Sequence, residues 1–560
     1  IAFVCRDEAR FGALLRNFLG LYWRSWIIIL WPIILLPLVL VNDAPMYKCL
    51  YVVILMAMYW VTEVLPLPIT GLIPVLLYPL MGILSTRETC DCYMNDTTMM
   101  FIGSLVIAVV IENSGLHMRI ALMFIRLIGC SHRKLSLGLF FVTMFISMWI
   151  SNTAATAMMI PIMETVLMEL QAVSRRTDSQ GLGNMFIQDE NPKRPTHSTM
   201  VYYMTAAYAS SIGGIGTMVG SGTNLTMKGI YESRFPQSPG ISFASWMLYS
   251  VPPMLLMGFL TWVWLQVMYM GLFRSKSEDA KAIDIGKQGE KVAAAVIDKK
   301  YKELGPITWH ESIVGFLFVA VIIIFIHQHF LRHFVNFLNS VKDSTAAIGF
   351  TILLFIIPTK LDFLNAFSKD PSKRPTRPSP ALMNWKTIHE KMHWSLILVL
   401  GGGFAIAEGS TASGLSVKLG QTLQGLQFMN PIVILFIVCL FAESVTELTA
   451  NVTVANIILP VLAEMCIAVR IHPLFLMMPA GICCSFSFHL PVGTPPNAIA
   501  CAAAHIKTRD FIIAGIGPSV ITLLVTTAAF STWGEYVFDL HEFPELENIL
   551  YIILYLANYT

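Results

Sequence analysis

Long apolar runs dominate this chain, and most are long enough to cross about 30 Å of hydrocarbon as a helix. They place spans at 25–41, 49–64, 67–84, 98–130, 198–231, 245–272, 311–327, 346–358, 393–423, 472–505 and 511–534, several of them broken. Two more apolar segments, 136–171 and 429–469, have the length of a helix pair but carry polar residues at the middle: Ser151-Asn152-Thr153 in one, Thr449-Ala450-Asn451 in the other. Polar, non-helical backbone at membrane depth is tolerated only where it is buried in protein or faces a water-filled cavity. These segments therefore read as re-entrant hairpins. The expected fold is an all-α polytopic membrane protein of about 11 transmembrane helices plus two re-entrant hairpins.

The two polar centres are copies of one pattern. Asn152 and Asn451 stand 299 positions apart (451 − 152), each with a hydroxyl five residues before it (Ser147, Thr446) and a proline nine after it (Pro161, Pro460). At the same offset upstream, Gly103, Ile107, Ala108 and Ser114-Gly115-Leu116 are matched by Gly402, Ile406, Ala407 and Ser413-Gly414-Leu415. After each hairpin comes a Gly-punctuated break, Gly220-Ser221-Gly222-Thr223-Asn224 in one half and Gly493-Thr494-Pro495-Pro496-Asn497 in the other. Duplicated halves with interrupted polar segments are the mark of secondary transporters, whose site lies where inverted repeats meet. Gly103 and Gly402 are expected to mark long broken helices acting as tilted arms, where an introduced cysteine would change accessibility during turnover.

Composition agrees: 55% of residues are apolar and only 13% charged, against about a quarter charged in soluble domains. A net charge of +2 gives nucleic acid no handle. The ten cysteines show no paired metal or redox spacing; Cys90 and Cys92 lie in a short polar loop, with their disulfide status open. The chain begins at Ile1, so some residues are expected to precede it, and no cleavable signal peptide comes before the first apolar run. Arg6, Arg10, Arg16, Arg24, Arg133, Lys134, Arg175, Arg176, Lys193 and Arg194 set their loops in the cytoplasm by the positive-inside rule. The same threading puts the Lys-rich 274–302 loop and the basic 360–377 segment inside. It places the C-terminus outside, where Asn558-Tyr559-Thr560 is a glycosylation sequon; Asn95-Asp96-Thr97 is also expected outside.

A helix that stops and restarts leaves free N–H groups at one tip and free carbonyls at the other, each worth about half a charge. N–H tips favour anions and carbonyl tips favour cations. Asn152 and Asn451 can present an amide to either, while Ser147, Ser151, Thr153, Thr446 and Thr449 add hydroxyls. Each element alone has a plainer reading, since small polar residues also pack membrane helices together; recurrence at fixed spacing favours function. Glu408, Glu443 and Glu447 lie in membrane segments, where a carboxylate is costly and is a functional candidate by default, though structural pairing is the alternative. His327, His329 and His333 are read as a solvated outer-loop cluster rather than a metal site.

Ser151-Asn152-Thr153, Thr449-Ala450-Asn451-Val452, Gly401-Gly402-Gly403-Phe404-Ala405 and Leu490-Pro491-Val492-Gly493-Thr494-Pro495-Pro496-Asn497-Ala498 resemble the divalent anion/sodium symporter family, in its animal di- and tricarboxylate branch with insect citrate transporters nearest. The resemblance covers nearly the whole chain. It implies a homodimer in which a scaffold holds still while a transport domain moves as an elevator. Scaffold parts fall at 1–134 and 311–428, transport parts at 135–273 and 429–538, a cytoplasmic loop at 274–310 and an extracellular tail at 539–560. Carried over residue by residue, it puts a first sodium at Ser147, Ser151, Asn152 and Gly220 or Gly222, and a second at Thr446, Thr449, Asn451 and Gly493. The substrate falls at Asn152, Thr153, Asn451 and Val452, with Thr223 or Thr494. One departure is the plainer second signature, Thr-Ala-Asn-Val, which lacks the serine and threonine of the first; Val452 is what the carboxylate carriers tend to have there. Glu447 resembles sodium-coupled vertebrate relatives at its position.

The expected function is secondary transport of di- and tricarboxylates such as citrate and succinate at the plasma membrane, coupled to sodium and using no cofactor. A sodium-independent exchanger or a proton-linked carrier is the alternative, and a sulfate transporter or an anion channel stands behind them. A channel needs a continuous lined pore, whereas these polar breaks converge at one depth. An enzyme needs a nucleophile or metal set with a nearby base, and the apolar segments show none.

Overall fold

The computed structural model describes residues 20–128, 131–178, 196–236, 240–274, 286–334, 342–367, 374–423 and 428–540, with a few single positions between them. Among the described residues the chain is helical throughout, with one isolated bridge between Pro358 and Ala381. Eight of these helices are long and apolar enough to cross a membrane, and four shorter apolar ones, Leu67–Met81, Asp343–Ile356, Pro431–Thr446 and Pro473–Cys483, accompany them. The tail carrying Asn558 and the first arginines lie outside the described residues.

The duplication survives in backbone detail. The run expected at 98–130 is two helices, Asp96–Ser114 and Leu116–Ile128, and the run at 393–423 is Trp394–Ala412 followed by Leu415–Leu423. Both breaks fall on a glycine in the left-handed region, Gly115 and Gly414, each at φ +75. Around them the same bonds recur: Ser114 donates to Ile111 O and accepts from Leu116 N, as Ser413 donates to Ser410 O and accepts from Leu415 N. Left-handed backbone costs a side chain roughly 1 kcal/mol or more, so Gly115→Ala and Gly414→Ala should each lower thermal stability by about that amount in a melting experiment.

Gly103 and Gly402 lie in the first halves of these two broken helices, as expected of them. A Cβ on Gly103 would stand 2.7 Å from the Ala347 Cβ, and one on Gly402 would stand 2.7 Å from Gly71 O. They are close-packing contacts in unbroken helix, so a cysteine there would disrupt packing before it reported any motion. The His327, His329 and His333 positions likewise fall in the backbone of helix Trp309–Phe334 rather than in a loop. The apolar run from Phe316 to Ile326 and the residues after it to Phe334 contain no Gly or Pro to end the helix. Their side chains lie outside the described residues.

Within the expected cytoplasmic loop, helix Gly286–Glu303 packs on helix Leu116–Ile128 and on helix Asn152–Asp178. Arg119 fixes this corner: its guanidinium donates to Gly305 O at 3.0 Å, to Leu304 O at 3.2 Å and to the Glu311 carboxylate at 3.1 Å. Removing one partner of a buried pair strands the other, which costs about 3 to 5 kcal/mol. Arg119→Met should therefore reduce stability on that scale, measured by thermal unfolding in detergent. Cys90 and Cys92 are free thiols. Asn95 caps helix Asp96–Ser114 by accepting from Thr98 N at 2.9 Å, and its Nδ2 donates to Cys92 O at 3.2 Å.

Candidate substrate and cation site

Each expected hairpin is a helix pair with a four-residue tip. The first joins His132–Ser147 to Asn152–Asp178, and the second joins Pro431–Thr446 to Asn451–Val469, so entering helices end and leaving helices begin at matching residues. In both, the last hydroxyl of the entering helix reaches the first amide of the leaving one. Ser147 Oγ lies 2.9 Å from Asn152 Oδ1 and 2.7 Å from Ser210 O; Thr446 Oγ1 lies 3.0 Å from Asn451 Oδ1 and 2.8 Å from Cys484 O. A hydroxyl has one hydrogen. At each tip, then, three oxygens converge with one proton to share, an arrangement that gains from a cation.

The tips face broken helices. In the first half His197–Gly213 gives way to a short 3₁₀ turn, Met218–Gly220, and resumes as Gly222–Arg234; in the second, Pro473–Cys483 resumes as Pro495–Ala504. One asparagine ties each loop. Asn224 Nδ2 donates to Gly214 O at 2.9 Å and Thr217 O at 2.8 Å, and Asn497 Nδ2 donates to Ser487 O at 2.9 Å and Leu490 O at 3.1 Å. The acceptors stand ten and seven residues back in both halves. The Thr217 hydroxyl donates to Met148 O, pinning the first loop to the first tip.

Gly220 sits in a cage of carbonyls. A Cβ there would lie 2.6 Å from Gly214 O, 2.9 Å from Met148 O and 3.1 Å from Ser147 O. At Gly493 it would meet Ser487 Oγ at 2.1 Å and Glu447 O at 2.8 Å. Sodium, a hard cation, suits such oxygens. Gly220→Ala drives a methyl into backbone carbonyls that have no flexible end to move aside, so it should lower thermal stability by about 1 to 3 kcal/mol, measured by melting in detergent. Thr449, expected at the second cation, has a buried hydroxyl with no hydrogen-bond partner among the described residues.

The halves meet through the break residues. A Cβ on Gly222 would stand 2.8 Å from Val452 Cγ2, which puts the second tip against the first break. Thr223 Oγ1 is 2.5 Å from Ser485 Oγ, and Ser221 Oγ is 3.3 Å from the same atom. Ser221, Thr223 and Ser485 thus form a hydroxyl cluster across the repeat boundary. Asn152, Thr153, Asn451 and Val452 at the helix starts are half-buried, whereas Thr223 and Thr494 are buried in the loops. No hydrogen bond joins the two tips directly among the described residues; each reaches the other through the breaks. Ser485 and Thr217 were not singled out from sequence. Counting back seven from Asn224 points to Thr217, whereas the same spacing from Asn497 reaches Ser487 and Leu490 and leaves Ser485 outside.

The asymmetry between the tips has a structural counterpart. Ser151 Oγ accepts from Ala154 N at 3.3 Å, whereas Ala450, the residue before Asn451, offers no side-chain cap. The second tip therefore keeps more free N–H groups, which attract anions. Glu447, opposite number of Met148, points away from the tip and into the second loop. Its carboxylate accepts from Phe488 N at 2.7 Å, His489 N at 3.1 Å, Leu490 N at 3.1 Å, Ser487 Oγ at 3.0 Å and His489 Nδ1 at 2.9 Å. It shapes the loop rather than facing a cation directly. Glu408 is exposed at the end of its helix.

Matched helix tips and matched broken helices, buried in apolar sequence and meeting at one place, define a secondary transporter. The chain belongs to the family described as the sodium:sulfate symporter transmembrane region, whose model matches residues 20–540. It is 44% identical to "Protein I'm not dead yet" of Drosophila melanogaster, covering 97% of this chain and 94% of that protein. It is 37% identical to the rat Na(+)/citrate cotransporter, covering 94% of this chain and 98% of that one. To the human Na(+)/dicarboxylate cotransporter 3 it is 34% identical, covering 93% and 94%.

Proposed function

We propose that this chain is a plasma-membrane carrier of di- and tricarboxylates such as citrate and succinate, driven by sodium. The observation that carries this reading is the repeated oxygen triad, Ser147 with Asn152 and Ser210 and Thr446 with Asn451 and Cys484, each with one proton among three oxygens. Two sodium ions at these tips would flank the anion. Moving a dianion into a negative interior costs roughly 4.6 kcal/mol per 100 mV, and co-transported cations offset it. The substrate carboxylates would take the free N–H groups and amides at Asn152, Thr153, Asn451 and Val452, with the Thr223 and Thr494 loops closing around them. Ser147, Ser151, Asn152, Gly220 and Gly222 would hold one sodium, and Thr446, Thr449, Asn451 and Gly493 the other. The named substrates of the rat and human relatives, citrate and dicarboxylate, support carboxylates over sulfate.

In this reading residues 135–273 and 429–538 move together as the elevator, 1–134 and 311–428 hold still as a homodimeric scaffold, and the two repeats are inverted. The N-terminus is cytoplasmic and the C-terminus is extracellular, glycosylated at Asn558. The substrate assignment is tested by competition: unlabelled succinate and citrate should suppress labelled citrate uptake into proteoliposomes, and sulfate at the same concentration should not. Equal suppression by sulfate would overturn it. The motion is tested by a cysteine at exposed Leu448 on the second tip, on a background freed of native cysteines. Its reaction with an impermeant thiol reagent should change when sodium and substrate are added, and an unchanging rate would count against the elevator.

A further inference from the structure

Glu443 lies one helical turn before Glu447 on the entering helix of the second hairpin and is 5% exposed. Its Oε1 is 3.2 Å from the Thr522 hydroxyl, but that hydroxyl has a nearer acceptor in Pro518 O at 2.8 Å and another in Ser519 O at 3.1 Å. Among the described residues Oε2 is buried with no hydrogen-bond partner, and the Ser519 hydroxyl is the other donor near this carboxyl. The groups facing it come from every packed element. Cys439 shares its helix, Glu447 follows at the start of the tip, and Cys483 ends the facing half-helix. Ser519 and Thr522 come from helix Thr508–Ala529, and Tyr249 stands behind Cys439 and Cys483. The acid of helix Asn451–Val469, Glu464, is taken by Arg234 at 2.7 Å. Among the described residues no lysine, arginine or histidine pairs with Glu443; the nearby His489 pairs with Glu447.

An unpaired carboxylate taken from water into such a site costs several kcal/mol. One bound proton removes that cost. A polar path leads to it: the His489 side chain is 28% exposed, its Nδ1 lies 3.3 Å from Ser519 Oγ, and Ser519 stands beside the Glu443 carboxyl. We propose that Glu443 is a proton-binding site of the carrier, taking a proton from the outer solution and releasing it inside, so that a proton accompanies the carboxylate in each cycle. The carboxylate gains the proton at one oxygen on the outer side and loses it on the inner side; no other bond changes. This rests on the carrier reading and adds to it a third coupled cation, one helical turn before Thr446 of the second sodium site.

The test uses the full chain in proteoliposomes loaded with a pH-sensitive dye, driven by a sodium gradient, with labelled succinate supplied as the dianion near neutral pH. The wild-type protein should acidify the lumen by about one proton per succinate, the charge one carboxyl can carry, whereas Glu443→Gln should carry succinate with no acidification. Equal acidification by both proteins overturns the proposal, as does succinate uptake by wild-type protein without any. If Glu443→Gln is inactive, the wild-type protein decides alone. A hydrophobic carbodiimide reacts only with a protonated carboxyl, so mass spectrometry should find its adduct on Glu443 near neutral pH and lose it in alkali. Absence of the adduct on an otherwise labelled chain overturns the proposal. Failure of wild-type succinate uptake would instead sink the carrier reading, and the labelling would still decide the proton site.

Discussion

Asn152→Ala and Asn451→Ala are each expected to abolish carboxylate uptake while leaving the amount of protein at the surface unchanged. Each amide oxygen belongs to a triad centred on a hydroxyl, held 2.9 Å from Ser147 Oγ in one case and 3.0 Å from Thr446 Oγ1 in the other. In the proposed function the same amide serves a sodium and the substrate. Losing one buried polar partner costs about 1 to 3 kcal/mol, and a loss at two coupled sites multiplies, so uptake should fall at least about a hundredfold. Surface expression should hold, because both asparagines are half-buried at helix starts rather than in the core. Labelled-citrate uptake normalised to surface protein checks this. Normal uptake in either variant would make the tips packing elements.

Glu447→Ala should produce a second large effect, of a different kind. The substitution strips the acceptor from three consecutive backbone N–H groups, Phe488, His489 and Leu490, and from the Ser487 hydroxyl. Each buried donor left without a partner costs about 1 to 3 kcal/mol, so the loop before Gly493 should lose its shape. The expected result is loss of both uptake and thermal stability, in contrast to Asn451→Ala, which should lose uptake alone. Glu447→Gln should also fail, since its NH₂ sets donors against the backbone N–H groups of Phe488, His489 and Leu490. Melting temperature in detergent, measured beside uptake, separates the two classes of variant. An Ala variant as stable as wild type would mean that solvent replaces the carboxylate at this loop.

Much of the site was legible from sequence because its chemistry is written twice. The tips at Ser147 to Asn152 and Thr446 to Asn451 fall where the duplicated hydroxyl and amide place them. The breaks at Gly220 and Gly493 were legible for the same reason. What stayed hidden depends on side-chain direction. Nothing in the order of residues says that Glu447 turns into the loop after Cys484 while Met148, its counterpart, leaves only a carbonyl for Thr217. Ser485 is one serine in a run of small and aromatic residues, and only the meeting of the halves puts it 2.5 Å from Thr223. The exact position of the break in each long helix was not legible, nor was the packing role of Gly103 and Gly402. In space they are flat faces against Ala347 and Gly71, and the positive φ falls at Gly115 and Gly414.

Uptake of labelled citrate and succinate into proteoliposomes, under an inward sodium gradient against a matched choline gradient, tests the central claim most directly. The repeated oxygen triads predict strong stimulation by sodium, lost in Asn152→Ala and Asn451→Ala. Uptake that ignores sodium and requires carboxylate inside the vesicle would contradict that claim and make the protein an exchanger.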